Sequence, residues 1–373
     1  MTTVPRNLAA AVSPGPMLAG WLMTLSPFGW PLVICGGLKV VYDLLLLAMF
    51  RHVRPPEESN ISTARGETMK LLTFRPARAR TGHFGVLLAD QRVLDITALS
   101  GRKLPATLLE CIEDGAEGLA AVRAALADAE SALKRGEQLP QVFALSDITL
   151  EAPLKPGKIM AVGKNYADHA AEGAGELYTR VAGFVKLTSC VVAPGTTVRK
   201  PGWTESFDYE NELAIVIGRH CCDVPPEQAY DCVFGYTIMN DLSCRDVQFA
   251  ERKEGNICIG KNFPTAAPLG PWIVTKDEIP DPHNLRIVTR VNSEVRQDST
   301  TKNQIYNIPA QIAWYSHAGF EPGDLISSGT PSGTGMGYKG PGSWYLQNGD
   351  QIECEIEKIG ILANTVTTRK RRS

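Results

Sequence analysis

Several protein classes are excluded by what this chain does not have. It has no Cys-x-x-Cys pair. Its nine cysteines (35, 111, 190, 221, 222, 232, 244, 258 and 354) are odd in number and fit neither a disulfide framework nor a zinc–thiolate site, so a reducing cytoplasmic setting suits them. It has no charge excess: 38 basic against 40 acidic residues leave a net charge of −2, without the basic footprint that nucleic acid demands. Helix-bundle composition is missing too, since 25 prolines and 34 glycines punctuate the 373 residues and point to a turn-rich, β-rich chain. Only Pro31 to Phe50 is long and mostly apolar, and it carries Lys39 and Asp43, each costly at bilayer depth.

That stretch belongs to an apolar and linker-like extension, residues 1–68, of which two readings stand. It is a genuine membrane segment, or it is a fusion or misplaced start ahead of Met69, where Met69-Lys70-Leu71-Leu72-Thr73-Phe74 reads as a fresh N-terminal strand. Membrane contact is expected only if residues 31–50 are a genuine segment. Residues 69–150 form a small α+β module: His83–Leu88 and Arg92–Ile96 read as a hairpin, Leu108–Arg135 as one or two amphipathic helices.

Residues 151–368 carry the chemistry. Glu210 and Glu212 precede the apolar run Leu213–Ile217. Strand alternation turns them to one face, where two dehydrated carboxylates need a cation between them. Asp241, ending the apolar run from Phe234, is a third acid at a strand end; three carboxylates suit Mg²⁺ or Mn²⁺. Asn165 caps a short helix on which His169 and Glu172, three residues apart, share a face. Gly173-Ala174-Gly175 follows as a hinge for a lid. Gly255–Asn262 fails as a P-loop, because no Ser or Thr follows Lys261 and no strand precedes it. Gly329-Thr330-Pro331-Ser332-Gly333 is a loop able to offer backbone N–H groups to a carboxylate. A nuclease or phosphatase built on the three acids is disfavoured by the absent basic groove.

Five motifs in order make the chain similar to the fumarylacetoacetate hydrolase superfamily from about Met69 to Thr367. They are Asn165-Tyr166…His169…Glu172, Tyr209-Glu210-Asn211-Glu212-Leu213, Asn240-Asp241…Arg245-Asp246…Gln248, Gly260-Lys261-Asn262-Phe263 and Gly329-Thr330-Pro331. The resemblance implies an α+β, β-rich chain with a mixed β-roll catalytic domain, usually dimeric, that binds Mg²⁺ or Mn²⁺ through Glu210, Glu212 and Asp241. It implies a 2-oxo acid substrate, with C–C hydrolysis of a 2,4-dioxo acid expected and decarboxylation or isomerisation as alternatives. In that scheme His169, oriented by Glu172, activates water, and Lys186 or Lys261 neutralises developing charge. Arg245, Gln248, Thr265, Gly329 and Thr330 hold the substrate. An inactive, membrane-tethered metal-binding scaffold is the alternative of another class. Asn211 stands where the family often has glycine, tolerable because it faces away from the glutamates, and Met160–Gly163 lacks the fourth acid of fumarylacetoacetase itself. Mutual repulsion in the triad also implies that removing Glu210 or Asp241 costs little stability. A chain beginning at Met69 is expected to fold and turn over like the whole; loss of folding or turnover on truncation, read by circular dichroism and activity assay, would make residues 1–68 integral.

Overall fold

In β1 (Lys70–Pro76), Leu71 faces the main core while Leu72 and Phe74 face the other way, into a small cluster with Leu87 and Val93. That two-sided apolarity marks a strand buried on both faces. The computed structural model describes residues 69–77, 79–99, 103–172 and 178–368. The apolar extension and its start-site question and the Gly173–Gly175 hinge lie outside the described residues, as does the basic run Arg369–Arg372, expected from its charge to be a solvated tail.

The hairpin β2 (His83–Leu87) and β3 (Arg92–Asp95) forms where the alternation places it, and β4 (Val142–Ala144) and β5 (Ile148–Leu150) complete the 69–150 strands. The Leu108–Arg135 stretch makes two helices. α1 (Leu108–Glu113) is capped by the Thr107 hydroxyl, and α2 (Gly115–Lys134) buries Val122, Ala125, Leu126 and Ala129 on one stripe.

The region beyond 150 begins with β6 (Ile159–Val162), α3 (Ala167–Glu172), β7 (Gly183–Lys186), β8 (Val191–Val192) and β9 (Thr197–Lys200). Then come β10 (Phe207–Asp208), β11 (Asn211–Ile217), β12 (Val233–Asn240), β13 (Ser243–Cys244) and α4 (Arg245–Lys253). β14 (Ala267–Thr275) leads to β15 (Arg286–Val291) and β16 (Glu294–Thr300). These last two meet at Asn292 and Ser293, whose φ angles of 51° and 68° make the tight hairpin turn. α5 (Ile308–Tyr315), β17 (Leu325–Ser327), β18 (Gln351–Ile356) and β19 (Gly360–Thr368) finish the described chain.

Among the described residues, a 12-stranded sheet runs β4-β3-β2-β1-β14-β12-β11-β17-β6-β7, with β5 on β1 and β8 on β14. A five-stranded sheet runs β16-β15-β18-β19-β9. β17–β6, β14–β8 and β19–β9 are parallel and the other ladders antiparallel, so the fold is α+β, β-rich and mixed. The strands before residue 150 and those after it hydrogen-bond into the same large sheet at β1–β14.

β11 and β12 are buried along their whole lengths. Asn211 explains how the two sheets are joined there. It faces away from Glu210 and Glu212, and its amide donates to the Val288 carbonyl at 2.8 Å and the Glu355 carbonyl at 3.1 Å. Val288 and Glu355 are direct partners in the β15–β18 ladder. One side chain thus fastens the glutamate strand to the second sheet. Asn211→Ala leaves both buried carbonyls short of a donor and is expected to cost about 1–3 kcal/mol, read as a lowered denaturation midpoint; an unchanged midpoint would show that the tie carries no load.

Candidate active site

Alternation along β10 and β11 brings Asp208, Glu210 and Glu212 to one buried cluster. Asp241 joins them because β11 and β12 pair Asn211 with Asn240, and the Asp241 N–H donates to the Glu210 carbonyl at 2.9 Å. Carboxylate oxygens of Glu210, Glu212 and Asp241 lie within 4.8 Å of one another, and all three residues are buried.

Three cations answer these acids. The Lys186 ammonium reaches Asp241 Oδ1 at 2.5 Å and donates to the Lys261 carbonyl at 2.6 Å. Lys261 bridges Glu210 at 2.5 Å and Asp241 at 2.9 Å. Arg245 spans Asp208 and Glu210, each at 2.7 Å. Four carboxylates therefore face three cations, and the remainder falls on Glu212. Burial, with Asp241 and Glu210 beside it, pushes the Glu212 carboxyl well above its ordinary value. Its hydrogen-bond donors are neutral: the Ser327 hydroxyl and, at 3.0 Å, the Gly329 N–H. Burial pushes Glu210 up as well, but Arg245 and Lys261 outweigh it and hold that carboxyl low. The same acids keep Lys261 charged against its own burial.

A divalent ion fits these residues. The donors are all carboxylate oxygens, one negative charge is in surplus, and the Lys261 ammonium marks where the acids already hold a cation. A cavity of about 420 Å³ opens onto the cluster, lined by His169, Glu172, Glu210, Glu212, Arg245 and Lys261, with Gln248 and Thr330.

His169 Nδ1 lies 3.0 Å from Glu172 Oε2; because a carboxylate only accepts, Nδ1 carries the proton and Nε2 is left as the basic nitrogen. Glu172 is held in turn by the Gly333 N–H at 2.7 Å. Gly333 has φ +96°, and a Cβ there would stand 2.0 Å from the Arg296 carbonyl, so glycine is required to make this turn.

Three sequence expectations need correcting. Asn165 does not cap α3; it donates to the Tyr306 and Ser328 carbonyls at 3.1 and 2.8 Å and accepts from the Tyr306 N–H at 2.8 Å, pinning the start of the His169 segment to two later loops. The glycine-rich loop does present N–H groups to carboxylates, but they are the protein's own. Gly329 serves Glu212, Gly333 serves Glu172, and Gly335 and Met336 serve Asp208 at 2.7 and 3.1 Å. Removing Glu210 or Asp241 is expected to cost stability, because each takes an ion pair from buried cations: Glu210 from Arg245 and Lys261, Asp241 from Lys261 and from Lys186, which has no other carboxylate partner among the described residues.

The sequence-derived residues separate accordingly. Gln248 accepts from Arg245 Nη1 at 3.1 Å and lines the cavity. Lys186 is wholly buried beneath Asp241 and off the cavity wall. Thr265, at φ +74°, accepts from the Arg199 N–H at 2.9 Å, away from the cavity. Asp208 was overlooked although it continues the alternation of Glu210 and Glu212, as were Lys164, Tyr178, Phe249 and Arg252 on the cavity wall.

Fold and site together define a β-rich enzyme whose acidic centre is of the kind that holds a divalent cation. The model of the fumarylacetoacetate (FAA) hydrolase C-terminal family matches residues 158–367, and the chain belongs to that family. It is 37% identical over 301 residues to the mitochondrial oxaloacetate tautomerase FAHD2A of Bos taurus, covering 80% of this chain and 91% of that protein. It is also 37% identical over 294 residues to oxaloacetate tautomerase YisK of Bacillus subtilis, covering 76% and 95% respectively. Among solved structures it is similar to a maleylpyruvate hydrolase of Sphingobium sp. SYK-6 in complex with manganese(II) ion and pyruvate. There the TM-score is 0.62 at 32% identity, over 81% of this chain and all of that one.

Two variants separate charge balance from ligation. Asp241→Asn leaves Lys186 without a carboxylate partner and Lys261 with Glu210 alone, and is expected to destabilise by about 3–5 kcal/mol, whereas Glu212→Gln keeps stability within about 1 kcal/mol of wild type; both lose Mn²⁺ binding by calorimetry. If the two variants unfold at the same denaturant concentration, the partition of charge is wrong. The raised Glu212 value also sets a pH dependence. Without a divalent ion, its contribution to stability is complete below the ordinary glutamate range and is lost as pH rises through the raised value. Ion binding needs the carboxylate form, so the gain in Tm on adding Mn²⁺ grows with pH and is abolished in Glu212→Gln. A Tm gain independent of pH would contradict the charge assignment.

Proposed function

We propose that this protein is a divalent-metal-dependent enol–keto tautomerase of a 2-oxo acid, with oxaloacetate as the first substrate to test. The observation that carries it is one cavity lined by Glu210 and Glu212, which cluster with the buried Asp241, and by His169 with its partner Glu172. The relatives named oxaloacetate tautomerases support it.

A bound divalent ion, Mg²⁺ or Mn²⁺, supplies a Lewis acid that withdraws electron density from a 2-oxo group. The chain's own residues move the protons. Ketonisation removes the enol O–H proton and adds one at the adjacent carbon, so it consumes nothing and needs a group able to give and take protons. His169 Nε2 is that group, with Nδ1–H held by Glu172 so that the ring is fixed with Nε2 as its proton-exchanging atom. Lys261 reaches the acids from the cavity side and lowers the cost of negative charge near the substrate oxygens. Arg245 and Gln248 form a fixed wall against which the substrate head group is oriented.

Hydrolysis of a C–C bond in a 2,4-dioxo acid is the second reading, favoured by the same His169–Glu172 pair acting on water and by similarity to a maleylpyruvate hydrolase. Homodimerisation remains part of the proposal, on the family resemblance. The test is to follow enol-oxaloacetate absorbance, and cleavage of an acylpyruvate, side by side with saturating Mn²⁺. Acceleration of ketonisation is expected, falling about 10²–10⁴-fold in His169→Ala and less in Glu172→Gln. Acylpyruvate cleavage without any acceleration of ketonisation would replace the first reading with the second.

A further inference from the structure

The cations around the triad are already committed. Arg245 is held by Asp208, Glu210 and Gln248, and Lys261 by Glu210 and Asp241. Lys261 has both of its acids to serve, and Arg245 keeps only its buried Nη2 without a partner. Lys164 and Arg252 line the same cavity and differ in this respect. Both lie close to the ring of Tyr178, with Lys164 Nζ 5.9 Å and Arg252 Cζ 5.8 Å from its centroid. Arg252 Nη2 donates to the Tyr178 hydroxyl at 3.1 Å. Among the described residues no carboxylate pairs with either cation.

We infer that Lys164, Arg252 and Tyr178 form a subsite for the distal carboxylate of a dicarboxylic substrate, and so select dicarboxylic over monocarboxylic 2-oxo acids. This rests on the reading that the cavity takes a 2-oxo acid. Two like charges set around one ring repel each other, and an anionic group between them relieves the repulsion. Burial and the neighbouring Arg252 charge lower the Lys164 pKa, as that repulsion requires. The guanidinium fork and the ammonium together suit a carboxylate. Two further features fix the geometry. Lys164 sits at φ +51°, a backbone conformation that non-glycine residues seldom adopt, and the Tyr306 hydroxyl donates to the Tyr178 carbonyl at 2.6 Å. Lys339 adds a third cation to the wall of the same cavity.

The test is calorimetric binding to the Mn²⁺-loaded protein of 2-oxoglutarate and of 2-oxopentanoate, which share a head group and chain length and differ in the terminal carboxylate. Wild type is expected to bind the dicarboxylate about 10–100-fold more tightly, the worth of one charge-assisted contact. Arg252→Gln and Lys164→Gln each narrow the ratio and the double variant brings it near unity, while 2-oxopentanoate affinity stays put. Equal binding of both ligands by wild type, a ratio that persists in the double variant, or equal loss for both ligands would each overturn the subsite. Should the ratio behave as expected while enol-oxaloacetate is not ketonised, the subsite stands and the proposed reaction falls. Ketonisation with an unmoved ratio leaves the reaction standing and removes only the subsite.

Discussion

Buried charge that does not balance governs this molecule. Asp208, Glu210, Glu212 and Asp241 share an interior volume with Lys186, Lys261 and Arg245. An uncompensated ion in such surroundings costs several kcal/mol, so each partner's position is constrained by all the others. β7 delivers Lys186, the turn after α4 delivers Lys261, the start of α4 delivers Arg245, and β10–β11 and β12 deliver the acids. The alignment of these elements therefore serves the pairing of charge as much as the packing of apolar surface. What pairing leaves over is concentrated on Glu212, the one member whose support is a hydroxyl and a backbone N–H. A scaffold that paired every acid with a cation would have no reason to attract another; this one leaves Glu212, beside a cavity, without a cationic partner of its own.

The triad was legible because its cause is local. Two-residue alternation puts Glu210 and Glu212 together, and an apolar run ending in Asn-Asp puts Asp241 at a strand mouth. The same alternation reaches Asp208, which went unread because what distinguishes it from a solvated strand end is distant: Arg245 and the N–H groups of Gly335 and Met336. The glycine-rich loop was read correctly as a set of donors and wrongly as to the recipient. Donor capacity is written in composition, whereas the acceptor is decided by tertiary placement. The loop resembling a P-loop shows the same substitution, since the Glu251 carboxylate takes the N–H groups of Cys258, Ile259 and Gly260 at 3.0, 2.6 and 3.0 Å. A side chain of the protein occupies the place a phosphate would need. The hairpin and the helical character of Leu108–Arg135 follow from periodicity, which leaves open whether that stretch is one helix or two, while Asn165 is not the cap it resembles because a cap and a loop pin use the same amide.

The expectation about stability failed for a related reason. Three acids side by side look repulsive when only acids are counted, and Lys186 and Lys261 carry no sign in the sequence of where they will point. Once placed, they turn two of the three carboxylates from liabilities into partners. Asn211 shows the opposite behaviour: its outward orientation was visible from alternation, but its role in joining two sheets needed the β15–β18 ladder to be seen.

Chain order gives the glycine-rich loop another significance. Asp208, Glu210, Glu212 and Glu172 all leave the ribosome well before residues 327–336, which carry the hydroxyl and the N–H groups that hold them. A nascent chain released only through β16 already has its acids and lysines but not β17, which pairs with β6 and β11, nor the loop that follows it. Until then Glu212, Glu172 and Asp208 lack the hydroxyl and N–H donors that the complete chain gives them. The last donors to the centre are thus the last to be synthesised, and a chain ending short of Met336 has every acid and cation of the cluster without the complete set of groups that orient them.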